Sequence, residues 1–330
     1  MSDVLDIAVA DVRPCPIPLI RARTIARPGS LVARGELVSV KYGVYAPASA
    51  WRALAPWDRY LARVHAAALT MPGLTFSHES AAVLLGLPVF GEPGEVHVLR
   101  DPAASSGSWK GLRTHTASTP RQVVALGGIQ LTSSDETAVD IARTRHCATG
   151  LAVVDAALRA DAGLSVEQLV AVNASRQSSR GRRHARWAIH RGDAAADGAL
   201  ESVSRAVVEL LGFPEPELQV PFRIDGQRYC VDHYWRDARI VGEADGRLKY
   251  NGSRGDAAKA IHDEKRREDS IRRIVNGFAR WGWDDVRTPA RLRKILVSAG
   301  LRQTGLGEPE PLATLSAALN GHAPHTRETG

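Results

Sequence analysis

Three short β-rich runs in close succession constrain the fold of this 330-residue chain most strongly. The first two runs, Gln219–Ile224 and Gln227–Tyr234, are separated only by Asp225-Gly226. An Asp-Gly pair between two such runs is typical of the tight turn that joins antiparallel strands and fixes their register. The third run, Arg239–Gly246, follows a short polar break. The sequence therefore predicts an antiparallel hairpin with a third strand beside it.

Acidic residues lie on these strands in a pattern that favours metal binding. Asp232 ends the second strand, and Glu243 and Asp245, two positions apart in the third, project from the same face. Clustered carboxylate oxygens without zinc-like His or Cys spacing are the ligands that Mg²⁺ or Mn²⁺ prefers. The sequence therefore predicts a metal site at Asp232, Glu243 and Asp245, where a cation would activate water and stabilise a phosphate under attack.

Two predicted helices supply further acidic candidates. The first, over residues 198–211, contains Glu201 in its first turn and would cover the sheet. The second, over Asp256–Asn276, has Glu264 and Glu268 in the middle of its apolar stripe, a place that solvated glutamates avoid. Both glutamates are accessory candidates for the metal site. Ion pairing along an exposed helix is the alternative.

Several basic residues are candidates for binding the phosphates of nucleic acid. The stretch Arg176–Arg191 contains six arginines and no acidic residue, and Trp187 within it could stack on a base. A solvated basic helix with one buried tryptophan is the alternative. The candidate residues are Arg180, Arg182, Arg183, Arg247, Lys265 and Arg266.

The distribution of charge agrees with a metal site that acts on a polyanion. The chain has 43 Lys and Arg against 36 Asp and Glu, a net charge of +7. Residues 201–250 contain nine acidic residues, whereas residues 251–300 contain twelve basic ones. Carboxylates would hold the cation and neighbouring Arg and Lys would hold phosphates, although solvated helix faces give the same counts.

The N-terminal region predicts a short helix followed by a hairpin. Pro28 opens the helix, Gly35 closes it, and Glu36–Tyr45 alternates apolar residues. The stretch Arg34–Tyr45 resembles the wing of the AbiEi-type antitoxin and transcriptional regulator family. The resemblance implies a winged-helix-like region that reads DNA. A role in packing domains is the alternative.

The next segment also resembles this family. Ser77–Pro88 and Gly128–Ala142 are similar to parts of the AbiEi-type middle domain. His78 lies in the first turn of a predicted helix. We interpret it as a hydrogen-bonded structural residue and not as a base, because no partner lies nearby in sequence.

The C-terminal half resembles the PD-(D/E)XK nuclease fold, in the branch related to very-short-patch-repair endonucleases. The resemblance spans Ala196–Val286 and rests on Leu200–Ser202, Pro214–Val220, Val231-Asp232, Val241–Tyr250, Glu264–Asp269 and Arg280–Asp285. It implies that Asp232 and Glu243 are the first and second metal-binding acids, and Glu201 joins the catalytic candidates. Asp245 replaces the family's lysine, and Lys249 close by is the candidate for its role. The fold could therefore bind nucleic acid without cutting it.

The expected fold class is multi-domain, α+β and α/β. We predict a degenerate winged-helix-like region over 1–50 and a mixed α/β, AbiEi-like middle domain with a basic linker over 51–195. A PD-(D/E)XK, restriction-endonuclease-like mixed sheet flanked by helices follows over 196–300, and residues 301–330 form a flexible tail.

The N-terminal sequence predicts the cellular compartment, and the cysteines predict the redox state of the thiols. Three scattered cysteines without C-x-x-C spacing exclude a disulfide framework. Asp3 and Asp6 occupy the place of a basic signal-peptide start, and no apolar run approaches the ~20 residues of a membrane span. The expected location is the cytoplasm, with no membrane partner.

The leading hypothesis is a Mg²⁺-dependent (or Mn²⁺-dependent) DNA endonuclease of a defence or mobile-element type. The alternative is a type IV antitoxin-like transcriptional regulator with a catalytically degenerate nuclease fold and a cognate toxin as partner. A structural protein without a nucleic-acid partner is the third reading, and it predicts no salt-dependent DNA binding.

Overall fold

The computed structural model describes residues 12–100, 105–246 and 265–321. Its contacts divide the chain into two compact units. Of the described residues, the first unit contains those within 12–144, 167–186 and 320–321, and the second contains those within 145–166 and 187–319. Within the described ranges, no helix has the length and apolar character needed to cross a membrane.

Helices and strands alternate irregularly along the chain. The strands are β1 (Ile20–Arg21), β2 (Leu37–Lys41), β3 (Val44–Pro47), β4 (Thr75–Phe76), β5 (Val96–Arg100), β6 (Gly107–Trp109), β7 (Leu112–Thr116), β8 (Val123–Leu126), β9 (Ile129–Thr132), β10 (Glu217–Ile224), β11 (Gln227–Trp235), β12 (Ile240–Ala244) and β13 (Gly277–Trp281). The helices are α1 (Pro28–Ala33), α2 (Ala48–Ala53), α3 (Pro56–Thr70), α4 (His78–Leu84), α5 (Ser134–Thr144), α6 (Cys147–Ala160), α7 (Val166–Ser175), α8 (Arg182–Ile189), α9 (Ala199–Leu210), α10 (265–272), α11 (Trp283–Arg287), α12 (Pro289–Ser298) and α13 (Pro309–Leu319). A short 3₁₀ helix, Ala22–Thr24, follows β1.

The first unit begins with a small sheet in the order β1-β3-β2. Strands β2 and β3 form the predicted antiparallel hairpin, and Pro28 occupies the first turn of α1, so both expectations are confirmed. Val44 and Ala46 on β3 are buried and pack with Ala62 and Ala66 of α3. The small side chains on α3 allow this close approach of helix and hairpin.

A six-stranded mixed sheet, ordered β6-β7-β5-β4-β9-β8, forms the rest of the first unit with α3, α4 and α5. Its core contains Tyr60, Leu61, Phe76, Leu84 and Leu131, all almost fully buried. Such burial of large apolar side chains is the main favourable contribution to folding of this unit.

A buried cation anchors the start of the basic stretch. Arg176 is 3% exposed and forms ion pairs with Glu136 and Asp140 on α5. Burial of a charge is tolerated only when it is paired in this way. Arg176 therefore holds the chain after α7 against α5 and has a structural role.

The second unit is built on a four-stranded sheet in the order β10-β11-β12-β13. The first three strands are antiparallel and β13 runs parallel to β12. Asp225 and Gly226 have φ of 50° and 76°, the positive values that a two-residue hairpin turn requires, so the predicted hairpin and third strand are confirmed.

Helix α9 packs against this sheet and against α6. The indole Nε1 of Trp281 donates to Ser204 Oγ at 2.8 Å, which joins β13 to α9. Arg205, on the same helix, donates to both carboxylate oxygens of Asp155 on α6 at 2.9 Å. Both partners are buried, Asp155 completely. The position of α9 is therefore fixed by apolar packing and by a buried ion pair.

Gly242, on β12, is required by the close approach of two tryptophans. A Cβ at this position would lie 2.5 Å from the Trp281 ring and 3.0 Å from the Trp235 ring. Both indoles are almost fully buried. Glycine thus leaves the space in which large aromatic side chains pack between the sheet and α9.

Two parts of the C-terminal region differ from the sequence prediction. Trp283, expected on a last strand with Trp281, begins α11, because Gly282 ends β13 and Asp285 accepts a hydrogen bond from the Gly282 N–H at 3.0 Å. Residues 301–330, expected as a flexible tail, contain α13, in which Leu315 and Leu319 are buried. Their four-residue spacing places both on one helix face, and burial of that face stabilises the helix.

The protein is therefore a mixed α/β, multi-domain protein, and its described residues form one antiparallel sheet and two mixed sheets. The domain boundaries drawn from the sequence stay predictions.

Candidate carboxylate site

Glu201, Gln219 and Asp232 meet at one end of the second unit's sheet. The Gln219 side-chain amide donates to Glu201 Oε2 at 3.0 Å and to Asp232 Oδ1 at 3.4 Å. Because one amide group contacts both carboxylates, α9, β10 and β11 are joined at a single polar point. We call Glu201, Gln219, Asp232 and Glu243 the carboxylate site.

The backbone of β10 is unusual at Gln219. Leu218 and Val220 pair with His233 and Val231, so Gln219 lies opposite Asp232. Its φ is 50°, a left-handed conformation that residues other than glycine rarely adopt. Strained backbone of this kind concentrates at functional sites, where the surrounding structure holds it. The strained backbone thus occurs at the residue whose side-chain amide contacts both Glu201 and Asp232.

The acids of the carboxylate site influence each other's charge. Burial, together with the negative charge of Asp232, raises the pKa of Glu201 to about 7. Hydrogen bonds from the Asp197 N–H and from Gln219 oppose this shift in the pKa. Glu201 can therefore accept or release a proton near neutral pH, which is the requirement for a general acid or base.

Glu243 lies beside Asp232 on the neighbouring strand. His233 pairs with Gly242, so the next residues along the two antiparallel strands, Asp232 and Glu243, face each other on one side of the sheet. Asp232 Oδ2 accepts a hydrogen bond from the Ala244 N–H at 2.9 Å, which fixes its orientation. The predicted convergence of Asp232 and Glu243 on adjacent strands agrees with this register.

Arg267, on α10, is the cationic partner of Glu243. Its guanidinium donates to Glu243 Oε1 at 3.0 Å and to Oε2 at 3.4 Å, and also to the Cys230 carbonyl oxygen at 2.5 Å. Glu243 is only 6% exposed, so an unpaired charge there would be costly. A two-point Arg–carboxylate contact therefore satisfies Glu243 and ties α10 to the sheet.

A second group of charges lies near the end of β12. Arg280 Nη2 lies 3.1 Å from Glu268 Oε2, and its Nη1 lies 3.9 Å from Asp245 Oδ2. Arg272 also contacts Glu268, at 2.6 Å. Asp245 is exposed and follows the last residue of β12. The accessory candidate Glu268 is therefore paired with two arginines.

The remaining predicted site residues differ in exposure, and some lie outside the described residues. Lys265 and Arg266 are exposed on α10. Lys249, Arg247 and Glu264 lie outside the described residues. In the first unit, Arg180 and Arg183 are exposed, whereas Arg182 is half-buried and donates to the Arg176 carbonyl oxygen at 2.5 Å. Arg182 thus supports the local backbone.

Sequence reasoning missed Gln219 and Arg267. The sequence predicts only that Gln219 begins a strand, and no sequence signal indicates its left-handed backbone. Arg267 belongs to the run of basic residues on the predicted charged helix, but its choice of Glu243 as partner depends on where α10 packs.

Two curated proteins of Mycobacterium tuberculosis, the uncharacterized proteins MT2308 and Rv2248, are similar to this chain. Each is 33% identical over 219 residues, which is 64% of this chain and 74% of the relative. No family model matches the chain. No solved structure matches it either.

Proposed function

The chain belongs to the family of the uncharacterized proteins MT2308 and Rv2248 of Mycobacterium tuberculosis, and from its own carboxylate site we propose that it hydrolyses phosphodiester bonds in DNA. The observation that supports this proposal most is the meeting of Glu201 and Asp232 at the amide of Gln219. The proposed fold is that of a PD-(D/E)XK nuclease, to which residues 196–286 are similar.

The donor atoms of the site fit Mg²⁺ or Mn²⁺. Asp232 and Glu243 face each other with hard carboxylate oxygens, and Mg²⁺ typically needs only one or two protein carboxylates beside water and phosphate. In the described part of the chain, no three of these acids bring ligand oxygens within 4.8 Å of one another. The protein would therefore supply only part of the coordination shell of the cation, and water and phosphate would supply the rest. When bound, the cation would activate a water molecule and stabilise charge on the phosphate.

The side chains of this chain would do the rest of the chemistry. Glu201, with its pKa near 7, can take up the proton of the attacking water. Gln219 holds Glu201 and Asp232 together, and the Ala244 N–H orients Asp232. Lys265 and Arg266 on α10 offer exposed positive charge for the phosphates of the substrate.

The partners and location of the proposed enzyme follow from DNA as its substrate. Arg180 and Arg183 of the first unit are exposed and are proposed as additional phosphate contacts. The hairpin of β2 and β3 is proposed as a winged-helix-like DNA contact. Cys15, Cys147 and Cys230 are free thiols, which agrees with a cytoplasmic location.

A second candidate function is DNA binding without cleavage, as in a type IV antitoxin-like regulator with a cognate toxin. The observation that favours it is the two-point contact of Arg267 with Glu243, which neutralises one proposed metal ligand. Asp245 at the position of the family's lysine points in the same direction. In this case the carboxylate site would be a structural remnant.

Cleavage assays on the purified full chain distinguish the two functions. Wild type, Asp232→Asn and Glu243→Gln are incubated with supercoiled, linear and single-stranded DNA in Mg²⁺, Mn²⁺ or EDTA. A nuclease cuts at least one substrate in the presence of metal, and both variants lose that cleavage. Asp225→Asn is the matched control, because Asp225 lies at the exposed turn of the same hairpin and Asn tolerates its positive φ.

DNA that is shifted in a gel but stays intact under every condition would reject the nuclease and favour the regulator. Cleavage that Asp232→Asn retains would instead reject the carboxylate site as its origin. Absence of both cleavage and salt-dependent binding would reject both candidate functions.

A further inference from the structure

Three histidines from separate elements of the first unit meet at one point. His78 begins α4, His97 lies on β5 and His115 lies on β7. Each offers one ring nitrogen, and the three nitrogens all lie within 4.8 Å of one another. We call these residues the histidine cluster. The mechanism proposed for the carboxylate site does not use it.

The sheet register brings two of the histidines together. Strands β5 and β7 are parallel neighbours, in which His97 pairs with Arg113 and Leu99 pairs with His115. Residues two positions apart on a strand share a face, so His97 and His115 project from the same side of the sheet. His97 Nδ1 lies 2.9 Å from His115 Nε2, close enough for a shared proton.

An unusual backbone conformation brings in the third histidine. His78 has a φ of 49°, in the left-handed region, although it is not a glycine. Its ring stacks on the His115 ring with 3.8 Å between centroids. The Ser77 N–H donates to the His97 carbonyl oxygen at 3.1 Å, which fixes the start of α4 against β5. The strained backbone therefore holds the His78 ring against the His115 ring. Imidazole lone pairs lie in the ring plane, so an ion bound by both residues would require one of these rings to turn.

Polar groups surround the cluster as a second layer. His78 and His97 are 6% and 8% exposed. Glu79 Oε2 lies 3.5 Å from His97 Nδ1, and Ser77 Oγ lies 3.1 Å from His78 Nδ1. Histidines that bind metals commonly place a second ring nitrogen against a carboxylate or another oxygen, which orients the ring. Ser77 is suited to that role at His78, whereas Glu79 approaches the same His97 nitrogen that contacts His115.

We propose that the histidine cluster binds one transition-metal ion, with Zn²⁺ as the preferred occupant, and that this ion stabilises the first unit. Three imidazole nitrogens suit Zn²⁺ and the related ions Co²⁺, Ni²⁺ and Cu²⁺, whereas Mg²⁺ selects oxygen ligands. The ion would join α4, β5 and β7 at a place where apolar packing is interrupted by polar side chains.

The competing explanation is a hydrogen-bonded histidine cluster without an ion. Titration with Co²⁺ separates the two, because tetrahedral Co²⁺ with nitrogen ligands absorbs visible light far more strongly than Co²⁺ in an oxygen or water shell. The full chain is treated with EDTA, dialysed and titrated with Co²⁺ and then with Zn²⁺. We expect one equivalent of Co²⁺ to produce the strong visible band and Zn²⁺ to displace it.

Matched variants assign the band to the cluster. His78→Asn removes one imidazole, and Asn is among the residues that tolerate a left-handed φ. Affinity for Co²⁺ should fall by at least about 100-fold, since loss of an orienting group alone costs 10- to 100-fold. His184→Ala, at an exposed histidine of the same unit, should keep the band. Circular dichroism without metal verifies that each variant is folded.

A second variant is available in case the first does not fold. If His78→Asn does not fold, His115→Gln replaces it, because His115 is only partly buried on β7. The proposal is overturned if the metal-free wild type takes up no stoichiometric Co²⁺ or Zn²⁺. It is equally overturned if His78→Asn or His115→Gln, folded, keeps the band at full strength.

Discussion

The carboxylate site and the histidine cluster contain similar numbers of polar side chains but differ in charge. Glu243 is almost fully buried and is paired with Arg267, and the pKa of Glu201 is raised to about 7 because Asp232 and burial both disfavour its charge. His78 and His97 are buried to a similar degree, and the Glu79 carboxylate lies close to His97. A carboxylate needs a cation or a proton when it is buried, whereas a neutral imidazole needs only hydrogen bonds.

This difference bears on the cation that we propose for each region. At the carboxylate site, a bound cation would compete with Arg267 for Glu243 and would lower the mutual repulsion of the acids. At the histidine cluster, it would compete only with protons and hydrogen bonds. The donor atoms therefore favour Mg²⁺ or Mn²⁺ in the second unit and Zn²⁺ in the first.

The largest expected effect is that single substitutions separate DNA cleavage from Co²⁺ binding. Asp232→Asn should lower metal-dependent DNA cleavage by at least about 100-fold, because loss of a group that only orients a metal ligand already costs 10- to 100-fold. The same variant should keep the visible Co²⁺ band. His78→Asn should lose the band and keep the cleavage rate with Mg²⁺. Parallel loss of both signals in either variant would show that the two regions are not independent.

The next effect concerns the support of the carboxylate site. Asp155→Ala leaves Arg205 of α9 buried without its carboxylate, which should destabilise the second unit by about 3–5 kcal/mol. Glu217→Ala removes an exposed partner of Arg236 and should cost only about 0–1 kcal/mol. Urea unfolding followed by circular dichroism measures both. Equal effects would contradict the buried ion pair as the anchor of α9.

Zinc should stabilise the protein through the histidine cluster alone. At a free Zn²⁺ concentration 100 times Kd, the free energy of unfolding of the first unit should rise by about 2.7 kcal/mol. Thermal unfolding with and without Zn²⁺ measures this change. His78→Asn should show no such increase, and Mg²⁺ at the same concentration should leave the melting temperature of wild type unchanged. A Zn²⁺ effect that persists in His78→Asn would assign the stabilising ion to another place.

The smallest expected effect is a pH dependence of stability that arises from Glu201. Its pKa is raised from 4.5 to about 7 in the folded state, so the folded protein binds this proton more tightly. The stabilisation is complete below pH 4.5 and is lost as the pH rises through 7. From pH 5 to pH 8, wild type should lose on the order of 1–2 kcal/mol relative to Glu201→Gln, with partial exposure taken into account.

Unfolding of both proteins by urea at pH 5 and at pH 8 gives this difference directly. If the difference in the free energy of unfolding between wild type and Glu201→Gln is the same at both pH values, the raised pKa of Glu201 is contradicted. It would also remove the main argument for Glu201 as a group that exchanges protons near neutrality.

Part of the fold and of the site could be predicted because the signals are local. The hairpin at Asp225-Gly226 follows from turn chemistry, and the hairpin of β2 and β3 follows from apolar alternation. The nearness of Asp232 and Glu243 follows from the same local rules, since their strands are consecutive and antiparallel. The burial of α13 does not follow from local rules, because a short apolar stripe has the same appearance in a tail and in a packed helix.

His78 shows how a local interpretation of the sequence can miss a cluster. The sequence contains no partner near His78, and this observation led to a structural role for it. Its partners, His97 and His115, are 19 and 37 positions further along the chain. They meet each other because β5 and β7 pair in parallel, and His78 joins them because the Ser77 N–H donates to the His97 carbonyl oxygen. Parallel strands are joined by long connections, so their pairing is not encoded in any short window of sequence.

The sequence by itself determined the strands, their turns and the carboxylates that those strands present, because these features depend on the steric preferences of neighbouring residues. Only the tertiary structure decided that Gln219 joins Glu201 to Asp232, that Arg267 neutralises Glu243, and that three distant histidines meet. Those contacts depend on which elements pack together, and packing is set by the burial of apolar surface over the whole unit.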